Sequence, residues 1–248
     1  MATSVLLVHG AWHGPWCWRD FAQRLAEHGH DTRVVRLRGH DRRSGRIWHR
    51  LREYVEDVER AAAALPSPPV LVGHSMGGIV VQRYLERNPA SGVVLMATIG
   101  PGTAPSARVG LAARHPGPAL KATILWSMRP LIATDALVRE LFFTPETSPE
   151  IVEHCRAHLQ HESYRAFLEL VFGSLKVARS DAPVLVLGAE RDGIVEPSEI
   201  RKLAADYRTQ AEIFPAMGHD MMLDHGWRDV ADRVGHWIHD RITARRNL

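Results

Sequence analysis

Three residues of this chain stand in an order that supports nucleophilic chemistry: Ser75 in GHSMG, Asp192 in GAERDGIV and His219 in AMGHDMML. A serine hydroxyl attacks an ester carbonyl only when a base takes its proton, and an imidazole serves as that base when a third group holds its other nitrogen. The G-x-S-x-G spelling recurs by chance, so the weight falls on whether an acid and a base arrive by the same structural rule. Asp181 precedes an apolar run and Glu190 lies at its end, which leaves Asp192 as the acid on the loop beyond. His225 and His236 fall in or near a terminal helix, while His9 and His74 sit beside turns where imidazoles hold backbone, which leaves His219 as the base. Asp220 and Asp224 read as surface or capping residues.

The elements that must position these groups are legible as alternating patterns. Val70, Leu71 and Val72 form a short buried run before Ser75, and Ile79, Val80, Tyr84 and Leu85 follow at helical spacing, so the serine sits on a strand-to-helix turn. Gly73 and Gly77 omit the Cβ atoms that would collide where strand and helix come closest, and the amides of the helix N-terminus face the serine with partial positive charge. The same alternation runs through VLLV and residues 16–28, TRVVRL and 50–65, PVLVG and 76–87, and then GVVLMA at 92–97. This is the rhythm of parallel β-α-β units. It breaks from 101 to about 180, where prolines and glycines lead into helical residues, and resumes with APVLVLG, a helix at 197–207, a strand AEIFPA and a terminal helix at 225–245. The expectation is an α/β fold, a mainly parallel sheet with helices on both faces, with residues 1–100 and 181–248 as core and 101–180 as a helical cap insertion. Ligands of such sheets bind beyond the carboxyl ends of the strands. Ser75, Asp192 and His219 each follow a strand there, and so does His9-Gly10-Ala11-Trp12.

Composition narrows the alternatives. A chain of 248 residues, 45% hydrophobic and 24% charged, has material for one sizeable core. The net charge of +3 includes one arginine cluster, Arg33, Arg36, Arg38, Arg42, Arg43 and Arg46, without interleaved aromatics, which reads as a solvated face and not a nucleic-acid surface. Cys17 and Cys155 have no CxxC or metal-ligand spacing and read as free thiols of a reducing compartment. The start of the chain lacks a signal-type apolar region, and no run is long enough to span a membrane, so a cytoplasmic protein without nucleic-acid or membrane partners is expected, with a homodimer left open. His154, His158 and His161 share one face if their segment is helical, but no HExxH accompanies them, and an ordinary polar face is the reading. Trp12 is expected to line an acyl pocket, Trp16 and Trp18 to pack the first helix, and Trp126, Met128, Phe142 and Phe143 of the insertion to wall the same pocket.

Taken together, these motifs resemble the α/β-hydrolase family, and HGAWHGPWCW is similar to the opening of the small esterases and hydroxynitrile lyases related to plant methylesterases. The resemblance is strongest at 5–20, 70–80 and 184–225 and weakest in the insertion. It implies a serine nucleophile, a histidine base oriented by the acid, and an oxyanion hole made by the amide after the nucleophile and one from the first loop, by position Met76 and Ala11. Lyases of this group carry a lysine directly after the catalytic histidine and a threonine after the first-strand histidine; this chain has Asp220 and Gly10 there. The expected activity is therefore hydrolysis of a small or medium carboxylic ester, a small-molecule substrate, with neither metal nor cofactor. The alternatives are a lyase-like reaction on the same residues and a ligand-binding receptor on the same fold.

Overall fold

The structure, a computed structural model, describes residues 2–41, 48–101, 113–173, 176 and 181–243. The apolar runs form strands β1 (Ser4–Val8), β2 (Asp31–Val35), β3 (Val70–His74), β4 (Gly92–Met96), β5 (Val184–Ala189) and β6 (Ala211–Phe214). They pair in the order β2-β1-β3-β4-β5-β6, and every pairing is parallel. The chain builds outward from β1 to β2 on one side and from β3 onward on the other, so the order reverses between β1 and β3. That reversal opens a crevice at the strands' carboxyl ends. In β3 and β4 every residue is buried, as strands covered on both faces require. The edge strands β2 and β6 are partly exposed.

The helices are α1 (Arg19–Glu27), α2 (Leu51–Ala63) and α3 (Met76–Tyr84); then α4 (Pro116–Leu125), α5 (Asp135–Phe142), α6 (Pro149–His158) and α7 (Tyr164–Phe172) between β4 and β5; then α8 (Pro197–Asp206) and α9 (Trp227–Ile238). Strand side chains alternate between the two faces of the sheet. Val5, Leu7, Val70 and Val72 pack with Phe21 and Leu25 of α1 and Val230 and Val234 of α9. Leu6, Val8, Leu71 and Leu95 pack with Tyr54 and Val58 of α2, Val80 of α3 and Leu203 of α8. A third cluster belongs to the segment between β4 and β5, where Met128, Leu131, Val138, Phe142, Val152 and Leu159 enclose Trp12 from the first loop.

Several expectations are refined. The first helix is preceded by a 3-10 turn, Pro15–Trp18, with its proline at the start where no amide donor is needed. The terminal α-helix ends at Ile238 and continues as a π turn over His239–Thr243. Arg38 of the arginine cluster is gripped by Asp57, Glu53 and Glu56 on α2, whereas Arg42, Arg43 and Arg46 lie outside the described residues, as do parts of 101–180. Cys17 and Cys155 are both free and buried. Among the described residues no helix is long and apolar enough to cross a membrane.

Candidate active site

Ser75 has φ +52°, a conformation that costs energy for any residue with a Cβ. Its surroundings hold it there. The Ser75 amide donates to the Met96 carbonyl at 3.0 Å, and its own carbonyl accepts from the Gly78 amide at 2.9 Å and the Thr98 hydroxyl at 2.7 Å. A Cβ on Gly73 would lie 2.7 Å from the Gly77 carbonyl oxygen, and one on Gly77 would overlap the Val8 carbonyl. A Cβ on Gly10 would stand 3.0 Å from the Ser75 Cβ, so the loop after β1 passes directly against the serine.

His219 Nδ1 donates to the Asp192 carboxylate, at 2.8 Å from Oδ2 and 2.9 Å from Oδ1. Asp192 Oδ1 also accepts the amides of Ile194 and Val195 at 2.7 and 2.8 Å, so the acid is fixed by its own turn. Both side chains are buried. With Nδ1 donating, a neutral His219 keeps the lone pair of Nε2, the tautomer a base requires. Burial opposes charge on this imidazole, yet the Asp192 carboxylate outweighs it and Asp220 adds to it, so His219 sits above the ordinary histidine range.

Asp220 and Asp224 are fully buried, contrary to the expectation of surface or capping residues. The reason is that the 218–225 loop turns inward, where its amides need acceptors. Asp224 takes the Gly218 amide at 2.6 Å, the His225 amide at 2.8 Å and the Thr147 hydroxyl. Asp220 Oδ2 pairs with His13 Nε2 at 2.9 Å, while the Asp220 amide donates to the Phe142 carbonyl. His74 Nε2 donates to the His219 carbonyl at 2.9 Å, and burial, with His219 nearby, pushes its pKa down to about 3, so this imidazole is neutral. Two groups, His13 with Cys155 and Asp220, and His74 with His219 and Asp220, bring potential ligand atoms within 4.8 Å of one another. His13 Nε2, His74 Nε2 and His219 Nδ1 are committed to the hydrogen bonds just described, which makes the ensemble a hydrogen-bonded scaffold beneath His219.

The first loop is equally constrained. The Gly10 carbonyl accepts from His9 Nδ1 at 2.9 Å and the Ala11 carbonyl from His13 Nδ1 at 2.8 Å. Trp12, at φ +62°, has its amide on Glu162 and its carbonyl on the Gln160 amide. Among the described residues the Ala11 amide has no acceptor, and the Met76 amide, at the first position of α3, has none within the helix. Both belong to residues that border one cavity of about 290 Å³, together with Ser75.

That cavity is lined by Trp12, by Ile79 and Thr98 beside Ser75, by Ile194 and Val195 after Asp192, and by the segment between β4 and β5 through Ala122, Met128, Leu131, Tyr164, Phe167, Leu168 and Val171. No charged side chain among the described residues lines it. Trp12 and Met128 thus stand where the sequence suggested, but Trp126, Phe142 and Phe143 do not. Trp126 closes α4 in a left-handed conformation, is 52% exposed and packs on Trp48 and Tyr164. Phe142 stacks on His219 with ring centroids 6.1 Å apart, and Phe143 is buried in the cluster of its own segment. The α7 wall went unnoticed, although Tyr164, Phe167, Leu168 and Val171 carry the i, i+3, i+4, i+7 spacing of an inward face. Trp18 packs in the core beneath α1, while Trp16 stacks on His13. The rings of His154 and His158 lie 4.2 Å apart, but α6 ends at His158, so His161 does not share their face.

A buried serine-side turn, an imidazole–carboxylate pair and a doubly wound parallel sheet define a class, and the chain belongs to the alpha/beta hydrolase family, whose model matches residues 5–233. It is 38% identical over 87 residues to a carbendazim hydrolyzing esterase of Nocardioides sp. (strain SG-4G), an alignment covering 34% of this chain and 36% of that one. To a monoacylglycerol lipase of Mycolicibacterium smegmatis it is 27% identical over 252 residues, covering 94% of this chain and 87% of the lipase. The chain spans about a third of the length of the esterases and methylesterases it matches at higher identity. Its fold is shared with a thermophilic esterase from Thermogutta terrifontis, at TM-score 0.67 and 21% identity over 98% of this chain and 91% of that one.

Proposed function

We propose that the protein hydrolyses uncharged carboxylic esters of small or medium acyl length through an acyl-enzyme on Ser75. The observations that support this reading are the His219–Asp192 pair, joined at 2.8 Å, and a Ser75 that borders a cavity lined by no charged side chain among the described residues. His219 Nε2 takes the Ser75 proton as the hydroxyl oxygen attacks the carbonyl carbon. The Ala11 and Met76 amides receive the developing oxyanion, His219 protonates the leaving alcohol, and a water activated by the same nitrogen then releases the acid. Asp192 keeps the ring in its productive tautomer and stabilises the imidazolium.

The helices between β4 and β5 act in this reading as a cap that sets acyl size, and a cavity at the low end of the usual several hundred Å³ suits small and medium groups. Asp220 lies beneath His219 and outside the cavity lining, which offers cyanide no cation; this favours ester hydrolysis over a lyase reaction. The buried free thiols support a cytoplasmic setting. Turnover of p-nitrophenyl esters from acetate to decanoate tests the proposal: Ser75→Ala should lose about 10⁶-fold in kcat. A fluorophosphonate should label wild-type Ser75 stoichiometrically, and a wild-type protein that neither labels nor turns over any ester in the series refutes the reading.

A further inference from the structure

Glu162, in the turn between α6 and α7, is a carboxylate only 4% exposed and takes donors from four parts of the chain. Oε2 accepts the Trp12 amide at 3.2 Å and His40 Nε2 at 3.0 Å; Oε1 accepts the Tyr54 hydroxyl at 2.9 Å and the Ser163 amide at 2.7 Å. His40 is itself buried, and its other nitrogen faces the Arg38 carbonyl at 3.3 Å, so both ring nitrogens point at acceptors. Burying an ion pair is a costly way to fasten one segment to another, since apolar packing serves as well or better. What apolar packing cannot do is receive a backbone N–H at a fixed point.

The amide that Glu162 receives is that of Trp12, a non-glycine residue at φ +62°. Two residues earlier in the same turn, the Gln160 amide donates to the Trp12 carbonyl at 2.7 Å. Residues 160–162 therefore hold both peptide groups of Trp12. The peptide before them, whose N–H belongs to Ala11, has its carbonyl held by His9. Released from Glu162, the peptide between Ala11 and Trp12 would be held only through the Ala11 carbonyl, by His13, and its reorientation as Trp12 relaxes toward negative φ would be taken up at Ala11, whose N–H would lose its set direction.

We infer that Glu162 is a positioning residue for the oxyanion loop: through the Trp12 amide it holds the Ala11 N–H toward Ser75, so the segment between β4 and β5 sets the rate of the chemistry as well as the fit of the acyl group. The inference rests on the ester-hydrolase reading. A 1 Å misplacement costs about 10²-fold and a lost oxyanion donor about 10²–10³-fold in other enzymes, which sets the scale of the effect.

The test compares Glu162→Leu with Glu162→Gln on p-nitrophenyl butyrate, with rates expressed per site titrated to completion by the fluorophosphonate so that misfolded protein drops out. Glu162→Leu should lose about 30–100-fold in kcat with KM within about threefold, the pattern of an interaction made only in the transition state. Glu162→Gln keeps an acceptor for Trp12 and should recover to within about tenfold of wild type. Affinity for an alkyl trifluoromethyl ketone, which forms a tetrahedral oxyanion on Ser75, should fall in parallel with kcat/KM, while affinity for the corresponding alcohol stays unchanged. Equal loss of both affinities, or kcat per site within about threefold of wild type in Glu162→Leu, overturns the inference. Should Glu162→Leu not fold, Tyr54→Phe decides. By loosening the carboxylate it should cost about 3–10-fold in kcat with the same ketone-against-alcohol split, and an unchanged kcat overturns the inference. Wild type that is labelled and active beside unaffected variants refutes this inference alone, whereas wild type that is neither labelled nor active refutes the ester-hydrolase reading beneath it.

Discussion

The histidine cluster next to Ser75 and the wall of the cavity are built by different physics. On the histidine side, His13, His74, Asp192, Asp220 and His219 are tied by hydrogen bonds of 2.8–2.9 Å, with almost no freedom of placement. On the proposed acyl side, α4, Met128, Leu131 and α7 meet the cavity with mainly apolar surface, and apolar contact is non-directional. Changes on the first side should therefore act through charge and proton position, and changes on the second through volume.

The largest expected effect is on the histidine side. Asp192→Asn should reduce kcat by about 10⁴-fold, because the amide supports the wrong tautomer. Since Asp192 is the main group holding His219 up, the sign is fixed. In wild type the proposed base must lose a proton before it acts, so kcat/KM should rise with pH through an ionisation above the ordinary ~6.5, and in Asp192→Asn the residual activity should rise through a lower one. A pH–rate profile in which the two coincide would break the contrast. Asp220→Asn comes next. It leaves His13 without its charged partner and should destabilise the fold by about 3 kcal/mol in urea unfolding, with kcat reduced less than about tenfold.

Phe167→Ala, on the acyl side, should shift the ratio of kcat/KM between short and long p-nitrophenyl esters by about tenfold and leave the pH profile in place. Trp126→Ala is the smallest effect, below about twofold in that same ratio, because its ring packs outside the cavity. If Trp126→Ala changed chain-length preference more than Phe167→Ala, the acyl wall would have to be redrawn around α4.

The same division governs what could be read from the chain. Ser75, Asp192 and His219 follow strand ends, and the strand pattern is local, so apolar runs and the residues after them suffice to place these three candidates at the carboxyl end of the sheet. Asp220 and Asp224 were misread because a carboxylate near a loop histidine is normally solvated. What buries them comes from His13, 207 residues away, and Thr147, 77 residues away, which no local pattern reports. Aromatic type drew attention to Trp126, Phe142 and Phe143, but type does not say which way a side chain faces. The inward face of α7 was written in spacing, and spacing was the better guide there. Glu162 had no signal at all: it is one carboxylate in an unpatterned turn, and its partners lie on the first loop, after β2 and on α2.

The tight turn at Ser75 also bears on how this chain can drift over generations. At Gly73 and Gly77 an added methyl meets backbone carbonyls, which no second substitution can move aside. At Gly78 it meets the side chain of Thr98, with Cγ2 at 2.6 Å and Cβ and Oγ1 both at 2.7 Å. A serine at 98 would lose the methyl yet keep the Cβ and the hydroxyl that serves the Ser75 carbonyl, each still 2.7 Å from the added carbon. Losing the methyl at 98 alone thus makes no room at 78, so descendants of this sequence should keep glycine at 78 as well as at 73 and 77 wherever the hydroxyl at 98 is retained.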